Sequence, residues 1–449
     1  MAKGTAKIIM LGVLILPCRG ISQSFPSSDT ITFTLGQSIT TMLENSKSLH
    51  ASMMKTEAAD AKASEASAVR LPSLKFGGSY TRLSEVPPFA IGPFPPLVND
   101  PVVVSQTILN NYSLKASVQH PLFAGFRYDS NVDMTDNLAQ SAAQDFTRDR
   151  TELIFATKTA YWNLYKSREF RKVVDENVQQ MQEHLKDIQN MFDQGLVTKN
   201  EVLRVEVQLS DAKVHQIDAA NGEQLAQKNF NNTLGIPLQT IVRLGTEVTH
   251  QPKSYAGIDT LIVRAIESRP ELRSMEYKVK AAEDGVTMAL SGWYPQIYLF
   301  GDYYYARPNP RIFPSVDRFE DTWDVGISLS WDIWNWGTTI HQTSQARAQL
   351  EQANDGLTQL KDGVALEVTQ SYLNLGEAKE RIGVADKGVA QAEENYRITN
   401  QRFKSGLALN SDLIDAEVAL LMAKWNHIQA LVDFEVSQAR LDKSLGITE

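Results

Sequence analysis

Cysteine is nearly absent from these 449 residues; the single one, Cys18, lies close to the N-terminus. No disulfide framework is therefore open to the chain. Histidine is scarce as well, with seven copies scattered from His50 to His427 and no ligand-like spacing, so neither a metal site nor a cofactor is expected. The chain has no glycine-rich phosphate loop ending in lysine, no H-E-x-x-H and no G-x-S-x-G. Catalysis has no evident carrier, and no enzyme is expected. Beyond the N-terminus no segment approaches the 18 or so consecutive apolar residues of a membrane helix, whereas a β-barrel strand needs only about 10 alternating residues. A net charge of −9 speaks against a nucleic-acid partner.

The most informative absence is proline. None occurs between Pro121 and Pro237, and none follows Pro314. Proline in a helix interior costs about 3 kcal/mol, so these two tracts are permissive for long helices. They also contain one unit written twice. "FDQGLVTKNEVLRVEVQL" from Phe192 is answered by "FKSGLALNSDLIDAEVAL" from Phe403, 211 positions later. The same offset relates Tyr112 to Trp323, "YWNL" at Tyr161 to "YLNL" at Tyr372, and "LGIP" at Leu234 to "LGIT" at Leu445. A repeat of this length constrains the fold before anything else.

Apolar residues inside the repeat are spaced alternately four and three apart: Val174, Val178, Met181, Leu185, Ile188 and Phe192, then Ile414, Val418, Leu421, Trp425, Ile428 and Val432. That seam predicts a coiled coil, with an ordinary bundle helix as the alternative. Gly195 and Gly406 end helices, and Thr198, Asn200, Asn410 and Ser411 offer N-caps for the next, so the repeated words are hairpin tips. Arg127 to Phe192 at about 1.5 Å per residue gives a helix of roughly 100 Å. The return legs are half as long, Asn200–Thr233 and Asn410–Leu445, and each is completed end to end by a further helix, Thr260–Ser291 and Leu35–Arg70 respectively.

Outside the helices, four segments alternate with period two. In Tyr112, Leu114, Ala116, Val118 and in Trp323, Val325, Ile327, Leu329, Trp331, Ile333, one face is apolar. Their partners begin at Leu71 and Tyr294, and aromatics gather at the strand ends as in the girdles of membrane barrels. Four strands cannot close a barrel, and open edges are not tolerated in lipid, so several chains must share one.

The N-terminal stretch has Lys3 and Lys7, an apolar run from Ile8 to Leu16 and then small residues, the pattern of a secretory signal covering residues 1–22; the alternative is lipidation at Cys18. The division expected for the rest is a first repeat over 23–237 (strand pair 71–121, tip near 195), an equatorial linker over 238–259, and a second repeat over 260–449 (strand pair 294–334, tip near 406).

The opening "ITFTLGQSI", the entries "LPSLKFGGSY" and "YPQIYLFGDY", and the paired F-x-x-G-L tips followed by "EVLRVEVQL" and "DLIDAEVAL" resemble the outer membrane efflux protein family, the TolC-like exit ducts of Gram-negative bacteria. The resemblance implies a mixed α and β membrane protein built as a homotrimer. Four strands per chain would make a shared 12-stranded β-barrel in outer-membrane lipid, continuous with an α-helical coiled-coil barrel across the periplasm. It implies a passive route for an inner-membrane pump and a periplasmic adaptor, in efflux or type I secretion. A periplasmic coiled-coil adaptor or scaffold is the alternative reading. Gly195, Leu196, Gly406 and Leu407 match the family's adaptor-docking tips. Asp412 and Asp415 match its periplasmic gate, with helix capping and the helix dipole as the alternative reading of Asp412, although the arginine found nearby in some relatives is Ala408 here. Between the repeats Asp412 answers Glu201, while Asp415 answers Arg204.

Overall fold

The computed structural model describes residues 31–447 apart from 94, 96, 98–99, 106 and 247–252, so the expected leader and Cys18 lie outside the described residues. In the first repeat the order is β1 (Ile31–Phe33), α1 (Leu35–Asn45), α2 (Lys47–Ala68), β2 (Ser73–Arg82), β3 (Phe89–Ile91), β4 (Val102–Ser105), β5 (Asn110–Phe123), α3 (Arg127–Asp193) and α4 (Lys199–Leu234). There follow β6 (Val242–Leu244), α5 (Ile258–Ser268), α6 (Pro270–Leu290), β7 (Gln296–Arg307), β8 (Glu320–Ser330), α7 (Thr338–Lys404) and α8 (Asn410–Ser444). α3 and α7 each have 67 residues, about 100 Å of helix.

The two shorter helical legs are broken where the sequence predicts continuous helices. Ser46 parts α1 from α2, its backbone extended and its Oγ accepting the Leu49 N–H at 3.2 Å. Arg269 parts α5 from α6 because Pro270 forces the residue before it out of the helical region. Ser46 and Arg269 are the same 223 positions apart as Pro72 and Pro295, so the breaks belong to the repeat.

β2, β5, β7 and β8 form one antiparallel sheet in that order. The register aligns Phe76, Ala116, Tyr303 and Trp323 in one row, and Leu74, Val118, Gly301 and Val325 in another. Between them runs the row Lys75, Ser117, Asp302 and Asp324, which faces the other way, with Lys115 paired to Asp302 at 2.8 Å. The apolar rows are the exposed ones, the reverse of a soluble sheet and the polarity of a barrel wall in lipid. Aromatic side chains mark both ends of the strands: Tyr80, Tyr112, Tyr305 and Phe319 at one, Phe126, Trp293, Tyr294, Trp331, Trp334 and Trp336 at the other. β8 stops at Ser330, short of the expected Trp331 and Ile333. Ser330 pairs with Gln296, and the Pro295 that precedes it has no N–H to extend the ladder.

The sheet turns sharply into the long helices. Gly125 and Phe126 before α3, and Trp336 and Gly337 before α7, hold positive φ in succession. A side chain at Gly125 would lie 2.7 Å from the Ser291 carbonyl, so glycine is required there by space as well as by φ. Along the sheet-proximal half the helices follow the order α2–α3–α6–α7; toward the tips the order is α4–α3–α8–α7.

Between these halves, β1 pairs parallel with β6. The buried Tyr161 of α3 fixes this belt: its hydroxyl accepts the Thr246 N–H at 2.9 Å and donates to the Phe33 carbonyl at 3.4 Å. Trp162, Phe230, Leu234 and Met42 complete the core around it. Lys253 and Tyr255 tie the stretch before α5 to Asp442 of α8, each at 2.8 Å.

Candidate functional site

Both tips are built by one backbone device. In the first, the Gly195 N–H donates to Phe192 O at 2.8 Å and the Leu196 N–H to Met191 O at 2.8 Å; in the second, Gly406 donates to Phe403 O at 2.9 Å and Leu407 to Arg402 O at 2.8 Å. This paired closure needs a left-handed residue at the turn, and the glycines supply it at φ 76° and 69°. It leaves Leu196 and Leu407 projecting, 69% and 68% exposed. An apolar side chain held that far out by a fixed turn has no internal packing role to explain it.

The next helices start differently from the capping expected. Thr198 precedes α4 without a side-chain bond, and Asn200 is exposed inside the helix. α8 starts at Asn410 after Leu409, whose N–H is accepted by the Asp412 carboxylate at 3.1 Å, so the capping acid is Asp412 and neither Asn410 nor Ser411. Asn410 instead turns across to the other hairpin, buried, with Nδ2 donating to Glu201 Oε2 of α4 at 2.8 Å. Sequence reasoning missed this clasp because asparagine before a helix reads as a cap.

Asp412 and Asp415 are both exposed, one helical step apart. Asp412 is engaged by its own helix start; Asp415 has no hydrogen-bond or ion-pair partner among the described residues. Ala408 joins the apolar cluster that cements the two hairpins, formed by Ile188, Val202 and Val205 with Phe403, Leu413 and Ile414.

The seam differs from expectation in α8. The expected Ile414 and Val432 are buried and Leu421, Trp425 and Ile428 half-buried, but Val418 is 40% exposed, and Leu413, Ala416, Glu417 and Leu420 are buried as well. α8 is gripped by α7 on one side and α3 on the other, so its buried surface is broader than a single coiled-coil stripe. In α3 the expected Val174, Val178, Met181 and Ile188 are buried, and Asn177 and His184 are buried with them.

No helix among the described residues is long and apolar enough to cross a membrane, leaving the sheet as the element suited to lipid. The profile described as outer membrane efflux protein matches residues 39–235 and 261–447, once for each repeat. Alkaline protease secretion protein AprF of Pseudomonas aeruginosa is 22% identical over 344 residues, which is 76% of this chain and 70% of that protein. Outer membrane protein TolC of Escherichia coli is 21% identical over 313 residues, 68% of this chain and 63% of that protein. Among solved structures, VceC from Vibrio cholerae shares the fold at TM-score 0.77 and 18% identity over 92% of this chain and 96% of its own. The CmeC outer membrane channel of Campylobacter jejuni does so at 0.78 and 15% identity, over 95% and 90%. The repeat, the lipid-facing sheet and these matches lead to one assignment: the chain belongs to the outer membrane efflux protein family, with its sheet in the outer membrane and its helices in the periplasm.

Proposed function

We propose that three copies of this chain close a single barrel and a single helical tunnel, which an inner-membrane pump and its periplasmic adaptor use as a passive exit. The observation that carries this is the stacking of open edges. β2, α2 and α4 border one side of the protomer, and β8 and α7 border the other. Strand direction alternates across the sheet, so β8 of one copy meets β2 of the next antiparallel, and the ring closes head to tail. Four strands fall short of the roughly eight of the smallest barrels, and three copies supply the twelve that the family resemblance implies.

The helical edges carry matching surfaces. α4 exposes Leu203, Val207, Val214, Ile217 and Leu225 as a stripe, and between α7 and α8 lies a groove of about 930 Å³ lined by Val384, Ala419, Met422 and Ala423. Seating the stripe of one copy in the groove of the next buries both. A periplasmic adaptor or scaffold would share the hairpins, but it has no use for a sheet with an exposed apolar face. The cargo is chosen by the pump, and the duct performs no chemistry of its own.

The tips are the adaptor-docking end in this reading, through Gly195–Leu196 and Gly406–Leu407. Asp412 and Asp415 ring the mouth with six carboxylates, and the Asn410–Glu201 clasp fastens the two hairpins beside it. Mass measurement in mild detergent tests the assembly: three chains per particle are expected, and a stable monomer would overturn the reading.

A further inference from the structure

Between Ser46 and Leu234 the two repeats differ in length at one place. Their offset is 223 at Ser46 and Pro72 and 211 from Tyr112 to Leu234, so the first copy carries 12 residues more between Pro72 and Tyr112. Tyr80 pairs with Tyr112 as Tyr303 pairs with Trp323, which puts the surplus in the connection at the end of β2 and β5 away from the helices. Those residues build the β3–β4 hairpin, a two-stranded sheet of its own.

The hairpin is apolar and stands beyond the hydrocarbon. Only Asp100 is charged between Glu85 and Lys115. Val86, Phe89, Ile91, Val102 and Val103 are exposed, Phe89 to 60%, and Leu97 at the turn to 89%. The lipid-facing rows end at the aromatic band of Tyr80, Tyr112, Tyr305 and Phe319. Next comes a polar rung, in which Arg82 donates to Asn110 Oδ1 at 2.8 Å and Arg307 to Asp317 at 2.7 Å. Past this rung Thr107 Oγ1 donates to Val86 O at 2.8 Å and keeps the two legs of the hairpin together. An apolar surface on the watery side of a charged rung has no lipid to cover it and calls for a protein partner.

The hairpin also restricts how a partner is held. Six prolines lie between Glu85 and Thr107, with Pro88 directly before β3 and Pro101 directly before β4. Proline has no N–H to offer a further strand, so contact is through the side chains of an arm already stiffened. The β7–β8 loop at the same end is the opposite case. Buried Asn309 donates from Nδ2 to Glu320 O and Thr322 Oγ1, both at 3.1 Å, and Arg311 donates to Trp323 O at 2.9 Å, so polar bonds pin this loop to its strands. It presents Phe313, 73% exposed, and Val316.

Within one chain the arm and the loop leave each other uncovered, since Phe89 and Phe313 both stay open. Where β8 of one copy meets β2 of the next, the arm rooted in β2 rises two strand spacings, about 10 Å around the rim, from the neighbour's loop. We infer that each β3–β4 hairpin crosses the seam between copies and seats its apolar residues on the Phe313 face of the neighbour's β7–β8 loop, strapping the outer rim of the barrel. The inference rests on copies closing a ring. One arm and one anchor per chain then make identical head-to-tail joints all the way round.

The test places a benzophenone amino acid at Phe313 of the full-length chain and irradiates it in outer membranes. Covalent dimers and trimers on a denaturing gel are expected, with the adduct mapping to residues 86–105; a label at Leu97 should map to residues 308–319 of the neighbour. Phe89→Ser with Ile91→Ser should abolish the Phe313 adduct and lower the temperature at which the trimer dissociates, while the mass in mild detergent stays that of three chains. If that variant fails to assemble, Leu97→Ser carries the same expectation. Particles of trimer mass that give no adduct, or an adduct within one chain, to lipopolysaccharide or to another protein, overturn the strap and leave the ring standing. A stable monomer in mild detergent overturns both.

Discussion

Replacing Asn410 by alanine should loosen the mouth. The amide donates from inside the hairpin junction to Glu201 Oε2 at 2.8 Å, and a shielded bond to a carboxylate contributes about 1.5–3 kcal/mol. Two features reduce that figure. Glu201 is half-exposed, so water takes over when the donor is lost; and Asn410 Oδ1 is already buried without a partner, a cost that disappears with the side chain. About 1 kcal/mol per chain is then left, roughly fivefold in the ratio of closed to open. In a trimer the consequence depends on concert: if the three clasps release one at a time the shift is about fivefold, whereas a mouth that moves as one multiplies three factors to about a hundredfold.

Single-channel recording in planar bilayers reads the open fraction directly, and sensitivity to a bulky antibiotic that intact outer membranes exclude reports it in cells. Glu201→Gln retains an acceptor oxygen while removing the charge, so it should fall between wild type and Asn410→Ala. An unchanged open fraction in a well-assembled Asn410→Ala trimer would refute both the clasp and the placement of the gate at this end.

Leu196→Ser with Leu407→Ser should leave trimer mass and melting unaltered, since neither leucine packs inside the chain, while abolishing resistance to pump substrates; full resistance would make both structural. Asp412→Ala with Asp415→Ala should free the channel from block by a divalent or trivalent cation added on the tip side, and equal block in variant and wild type would put the cation site elsewhere. At the α2–α3 contact, burial alone would raise Asp149, but the Ser52 hydroxyl at 2.7 Å and Arg148 hold its carboxyl below the usual range. A depressed acid stabilises above its unfolded value and loses that contribution as pH falls through its folded one. Ser52→Ala should therefore move the onset of acid unfolding, followed by circular dichroism, to higher pH; an unmoved onset would deny Asp149 that role.

The long helices are legible in the sequence because the constraint on them is local: proline is absent from both tracts, and α3 and α7 run 67 residues each within them. The strands are legible from period two, down to the alternation that sends Trp323 and Val325 to one face and Asp324 to the other. Failures cluster where one element answers to two neighbours. A single stripe locates one packing partner, yet α8 has α7 and α3, so Val418 lies outside while Glu417, a residue that no hydrophobic pattern would nominate, lies inside. The end of β8 likewise depended on Pro295, whose missing N–H acts on a strand far away in sequence.

The functional end shows the same division more sharply. Gly195 and Gly406 could be read directly, since a left-handed turn leaves few choices of residue, and the leucines after them follow from register. The bonds between the hairpins could not. Asn410 reads as a cap, and His184 as one histidine among seven without a ligand pattern. Each acquires meaning only from its partner, Glu201 or Glu417, more than 200 positions distant in the chain. The distance is itself a consequence of the duplication. The seams within each hairpin, α3 on α4 and α7 on α8, are apolar and belong to one repeat unit; between the copies an apolar cluster at the tips is joined by two buried polar contacts, His184 with Glu417 and Asn410 with Glu201. Apolar seams hold over a range of small displacements, while a lone buried hydrogen bond is either made or broken.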